Sequence, residues 1–158
     1  MPVDPAFTSL PLDVLADAAI SRAGDLGVTH VDVRIERLRS RNLTVRDGEL
    51  AGAHDGEDVG LAVRVVHNGT WGFASSVDLT PEAARQTADD AIAVAHLSRP
   101  LRTHPVELAD EPGWTGTWVA PYDVDPFDVS VPDTVAVLAD YSQRVRGGAV
   151  AHVTASLE

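Results

Sequence analysis

The sequence predicts an α+β fold with helices packed on a largely antiparallel sheet, and three observations carry that expectation. Asp47-Gly48 and Asn68-Gly69 are dipeptides that supply the positive φ of two-residue hairpin turns. Between them, Val59, Leu61, Val63 and Val65 alternate with Gly60, Ala62, Arg64 and Val66, the period of a strand with one strongly apolar face. Three further stretches, about 11–26, 81–97 and 131–146, repeat apolar residues at helical spacing. The expected order is therefore a helix, a meander over about 31–76, two more helices, and a final strand over about 149–157.

Residues 1–9, with Pro2 and Pro5, read as a loose lead-in. Leu12, Leu15, Ala16, Ala19, Ala23 and Leu26 then mark one helix face, with Ser9 or Asp13 as candidate cap and Gly27 as candidate end. Val31, Val33 and Ile35 alternate with polar partners as a strand. The phase breaks at Arg37, Arg39 and Arg41 and resumes at Leu43 and Val45, so the strand either runs past the sheet edge or carries a bulge. After the second turn Trp71, Phe73 and Ser75 alternate with Gly72 and Ala74. The small residues admit another backbone or a helix at close range, and the aromatic pair is expected to be buried.

Thr80-Pro81-Glu82 is a helix start, with a hydroxyl cap, proline at the first position and an acid favoured by the dipole. Its expected buried face is Ala84, Ala88, Ala91 and Ala95, flanked by Ile92 and Val94. Pro100, Pro105, Pro112, Pro121 and Pro126 stiffen the stretch 99–129, and Trp114, Trp118, Tyr122 and Phe127 are expected to pin it down. A third helix starts near Ser130, with Pro132 and Asp133 in its first turn. It carries Val131, Val135, Leu138, Tyr141 or Ser142, and Val145 on one face, and ends at Gly147-Gly148. In the last strand Ala151, Val153, Ala155 and Leu157 share a side. The expected organisation is an N-terminal core over 1–98, a proline-stiffened connection packed on it over 99–129, and a helix and strand over 130–158 continuing the same domain. The sequence stops inside that strand, which points to a longer parent protein.

Composition narrows the chemistry. A chain of 158 residues, 44% hydrophobic, suffices for one core. All twelve basic residues are arginine, so no lysine can form a Schiff base or serve as a P-loop cation. A net charge of −12 argues against a nucleic-acid partner, because phosphate binding draws on a positive footprint. Without cysteine there is no disulfide framework and no thiolate nucleophile or ligand. No stretch approaches the roughly 20 apolar residues of a membrane span, and MPVDPAFTSL lacks the pattern of a signal peptide. A soluble cytoplasmic protein is expected.

Candidate sites are few. The six histidines show no HxxxH, HxH or HExxH spacing. His54, Asp55, Glu57 and Asp58 form the densest ligand cluster, read as a solvated acidic turn. Asp123, Asp125 and Asp128 resemble the start of a calcium loop but lack its glycine and distal glutamate. Arg34, Arg37, Arg39, Arg41 and Arg46 are better explained as surface ion pairs than as an anion patch. Ser75 and Ser76 lack the context of a nucleophile, and His96 and His104 read as structural or solvated. No catalytic, cofactor-binding or metal residue is assigned from the residues themselves.

A set of blocks in fixed order adds a resemblance: VDVRIE at 31–36, VRDGEL at 45–50, GLAVRV at 60–65, GTWGFASS at 69–76 and DLTP at 78–81. Together they resemble the N-terminal domain of the TldD/PmbA proteins, once called modulators of DNA gyrase. A weaker likeness runs from YDVDPF at 122–127 to HVTASL at 152–157, closer to the TldD than to the PmbA (TldE) branch. The resemblance implies a metalloprotease working as a TldD–TldE pair on small, largely unfolded peptides. It also implies zinc held by an HExxxH motif and a later cysteine in a C-terminal part that has no counterpart in these 158 residues. By that resemblance the chain is a non-catalytic domain that frames the peptide-access chamber and helps pair the subunits. The alternative is a stand-alone, non-catalytic interaction or regulatory domain.

Overall fold

The structure is a computed structural model that describes residues 4–158. The order of elements is α1 (Pro5–Thr8), α2 (Leu12–Asp25), β1 (His30–Arg46), β2 (Glu49–His67), β3 (Thr70–Ser76), α3 (Pro81–Ser98), a 3₁₀ turn (Arg99–Leu101), α4 (Val131–Val145) and β4 (Thr154–Leu157). The four strands form one open sheet in the order β3-β2-β1-β4, with the two hairpins and the β1–β4 pair antiparallel. This is the predicted α+β arrangement.

Both hairpin turns form where the dipeptides place them. Asp47 and Gly48 have φ of 54° and 90°, and Asn68 and Gly69 have φ of 50° and 70°, the left-handed pair that a type I′ turn requires. The two-residue turn at Asp47-Gly48 sets odd residues of β1 opposite even residues of β2. Yet Val31, Val33 and Ile35 share one core cluster with Leu61, Val63 and Val65, odd beside odd. Residues that face each other across a ladder share a side, so the pairing slips by one residue between turn and core, as a bulge does. β1 itself is continuous. Its three arginines do not interrupt it; they stand at the same parity as the apolar residues on either side.

The described chain divides into two compact units, and β1 and β2 pass through both. The first comprises the chain up to Arg37 together with Val59–Val119. Its core joins Leu15, Ala19 and Ala23 of α2, Leu61, Val63 and Val65 of β2, and Ala84, Ala88, Ala91, Ile92 and Ala95 of α3. Helix α3 starts as its sequence dictates, Ala83 donating its N–H to Thr80 Oγ1 at 3.2 Å. Its alanine face lets α3 press onto β3 so closely that a Cβ on Gly72 would lie 1.9 Å from the Ala91 carbonyl oxygen. Arg22 forks onto Asp89 with two hydrogen bonds, 2.7 and 3.1 Å, and so ties α2 to α3.

The second unit comprises Leu38–Asp58 and Ala120–Glu158. Its core is small: Leu43 and Val45 of β1 and Leu138 of α4, with Val131, Val135, Ala139 and Ala155 against them. Ser130 caps α4, accepting from the Asp133 N–H at 3.2 Å.

Several expectations change. α2 begins at Pro11 without a side-chain cap, so neither Ser9 nor Asp13 fills that role, and Leu26 is exposed. Pro5 opens a helical turn capped by Asp4, whereas Pro2 lies outside the described residues. Val94, Tyr141 and Val145 face solvent, and Ser142 takes the inner position that Tyr141 shared in the sequence reading. The last strand is shorter than 149–157. A tight turn bonds Gly147 to Val150 in both directions, and pairing with β1 starts only at Thr154. Trp114 and Trp118 are about four-fifths exposed and pin nothing, while Phe127 is the half-buried aromatic of the stretch.

Candidate functional site

Strand β3 combines an open edge with an exposed aromatic pair. It is the last strand of the sheet on its side. Its register on β2 pairs His67 with Thr70, Val66 with Trp71, Val65 with Gly72, Arg64 with Phe73, Val63 with Ala74 and Ala62 with Ser75. A two-residue hairpin closes on a hydrogen-bonded pair, here His67 and Thr70, and bonded and non-bonded pairs then alternate. Thr70, Gly72, Ala74 and Ser76 therefore spend their main-chain groups on β2. Trp71, Phe73 and Ser75 direct theirs away from β2, to the side where β3 has no neighbouring strand.

The same alternation sorts the side chains. Thr70 and Gly72 are buried and Ala74 half-buried beneath α3. Trp71 and Phe73 lie on the opposite face, 36% and 57% exposed, which reverses the expectation that they are buried. Large side chains could not have taken the inner side, because α3 leaves no room for a Cβ at Gly72. Around Trp71 the outer face is electrostatically balanced. The Arg64 guanidinium sits 4.8 Å from the Trp71 ring centroid and donates to Asp32 Oδ2 at 2.9 Å. His30 meets the same carboxylate oxygen at 3.1 Å and the Trp71 ring edge-on at 6.0 Å.

A second feature carried no sequence signal. The rings of His67, at the end of β2, and His96, in the last turn of α3, stack with centroids 4.7 Å apart. His67 Nδ1 and the neighbouring Thr70 Oγ1 are shut off from solvent without a hydrogen-bond partner. Burial first, and the His96 charge second, hold the His67 pKa below its ordinary 6.5. The unfolded chain therefore takes up this proton before the folded one does. Stability should be complete above about pH 6.5 and fall as the pH drops towards the folded-state value. Denaturant midpoints at pH 7.5 and 5.5 check this, and His67→Gln should shrink the difference between them.

The other candidates resolve into structure. His54, Asp55, Glu57 and Asp58 lie within β2, not at a turn. Asp55 accepts both arms of Arg41, at 2.9 and 3.1 Å, which lowers its pKa. Asp125 accepts from the Phe127 N–H at 2.9 Å, and its carbonyl accepts from the Asp128 N–H at 3.0 Å. That is a β-turn with Pro126 at its second position, which explains the acid spacing without calcium. Of the arginines, Arg34 pairs with Glu36 and Arg37 with Asp4, while Arg39 lies over Phe127 at 4.2 Å. The Ser76 hydroxyl accepts from the Asp78 N–H, a local turn and not a nucleophile arrangement. His104 meets Thr103. Asp47, beyond forming its turn, holds His152 at 2.8 Å and the Val153 N–H at 3.0 Å, and both contacts lower its pKa. Among the described residues, no three His, Asp or Glu side chains converge as metal ligands, and no helix is long and apolar enough to cross a membrane.

Comparison with known proteins finds similarity to one family. Residues 31–95, from β1 almost to the end of α3, match the model of PmbA/TldA metallopeptidase domain 1. A metalloprotease of Methanocaldococcus jannaschii is 24% identical over 111 residues, 70% of this chain and 25% of that protein. A zinc metalloprotease TldD homolog of Saccharolobus solfataricus is 31% identical over 68 residues, 43% of this chain and 15% of the relative. The chain thus spans a quarter or less of the length of these curated relatives. A protein of Bacteroides thetaiotaomicron described as a modulator of DNA gyrase shares the fold with a TM-score of 0.64 at 16% identity, over 91% of this chain and 33% of its own. TldE from Thermococcus kodakarensis does so with a TM-score of 0.55 at 16% identity, over 87% of this chain and 32% of its own.

Proposed function

We propose that this chain belongs to the PmbA/TldD family through its first domain and is the N-terminal, non-catalytic part of a TldD-like metallopeptidase subunit. In that role it frames the approach of an unfolded peptide to the metal and helps pair the subunit with a PmbA/TldE-like partner in the cytoplasm. The observation that carries the reading is the free edge of β3. Among the described residues no strand pairs with the outward N–H and C=O groups of Trp71, Phe73 and Ser75, a row that an extended peptide can satisfy whatever its sequence. A peptidase that acts on many unfolded chains needs such sequence-tolerant grip. A net charge of −12 favours peptide over nucleic acid as the occupant.

Zinc is implied for the longer protein by the name of the Saccharolobus relative. The described residues do not fit it: no three of their His, Asp or Glu side chains converge, and His pairs such as His30–Asp32 and His152–Asp47 have no third donor. No catalytic step is therefore assigned to residues of this chain.

Proline at an edge strand removes an outward N–H without touching the ladder. Ser75→Pro in the full-length pair should lower kcat/KM for peptide hydrolysis up to about tenfold, the worth of one lost hydrogen bond, with little change in thermal stability. Unchanged hydrolysis by a folded variant would remove β3 from the peptide path.

A further inference from the structure

We propose that the β3 edge selects peptides with apolar side chains at alternate positions, and that Trp71 and Phe73 are the residues that read them. This rests on the reading of that edge as a peptide site and names its substrate class. In an antiparallel addition, a residue with outward N–H and C=O exchanges both bonds with the residue directly opposite. The peptide residues bonded to Trp71, Phe73 and Ser75 then place their side chains on the same face as these three. Main-chain register and side-chain readout are locked together. Peptide residues i and i+2, roughly 7 Å apart in an extended chain, fall beside the two exposed rings.

The chemistry of that face fixes the preference. Arg64, Asp32 and His30 satisfy one another around Trp71 and leave no uncommitted charge for an ionic side chain. Two part-exposed aromatic surfaces remain, and they gain by covering apolar groups. The intervening peptide residues point to the other face, where β3 carries only Gly72 and Ala74 beneath α3. An excess of acidic residues in the peptide opposes the −12 charge of the chain.

The test uses two end-blocked octapeptides of identical composition, one alternating Phe or Leu with Ser or Lys, the other with its apolar residues in one block. Each is titrated into the full chain, with amide exchange of β3 read by NMR. The alternating peptide should bind about tenfold more tightly, from two cross-strand pairs. Trp71→Ser and Phe73→Ser should each reduce that preference by weakening the alternating peptide more than the block peptide, and Phe73→Tyr should retain it. Equal affinities, with the edge amides protected by both peptides, would overturn the selectivity and leave the edge site standing. Protection by neither peptide would remove the edge site, and the selectivity with it.

Discussion

Gly72→Ala should destabilise the protein by about 3 kcal/mol or more, at the top of the range for overpacked positions. A Cβ at this position would stand 1.9 Å from the Ala91 oxygen and 2.8 Å from the Ala95 nitrogen, both backbone atoms of α3. No rotamer change relieves a clash with backbone, so α3 must retreat. In retreating it loosens Ala84, Ala88, Ala91 and Ala95, which together form its buried face. Urea denaturation measures the effect. Gly52→Ala is the control, since nothing lies within 4 Å of its added Cβ and its φ is not positive, so the midpoint should move little. A silent Gly72→Ala would mean that α3 does not sit on β3 as closely as the structure has it. The aromatic pair would then have no reason to face outward.

Leu43→Ala should remove about 3 kcal/mol from the second unit, within the range for a fully buried leucine. Its core has only Leu43, Val45 and Leu138 fully inside, so one truncation removes a large share of its apolar contact. Hydrogen exchange separates this from a global effect. Amides of α4 and β4 should lose protection, while those of α3 keep theirs, because Leu43 belongs to the second unit's core cluster and α3 to the first. Uniform loss of protection across α3 and α4 would show that the chain unfolds as one.

What the sequence revealed follows the range of the forces involved. The two hairpin turns were legible because φ above zero is a property of Asp-Gly and Asn-Gly themselves, and the start of α3 because Thr80, Pro81 and Glu82 act on the adjacent turn. The side taken by Trp71 and Phe73 is not legible in the pattern of their own strand. It is the alanine face of α3 that demands Gly72 and Ala74 on the inside, and the two signals had to be combined. Arg37, Arg39 and Arg41 looked like a break, since polar residues sit at core parity. Arg39 and Arg41 stand there because their guanidiniums cover Phe127, which no local pattern announces. The stacking of His67 on His96 was invisible for the same reason, as it depends on where α3 ends relative to β2. No catalytic residue was named from the sequence. The site that the structure offers is main chain, which composition does not mark.

The peptide site proposed on β3 rests on the outward groups of Trp71, Phe73 and Ser75. Residue-resolved amide exchange on the full-length pair, with and without a saturating unfolded peptide, tests it most directly. New protection is expected at the amides of residues 71, 73 and 75, alternating with no change at 70, 72, 74 and 76, whose groups already serve the ladder. Unchanged exchange at 71, 73 and 75 under saturating peptide would contradict it.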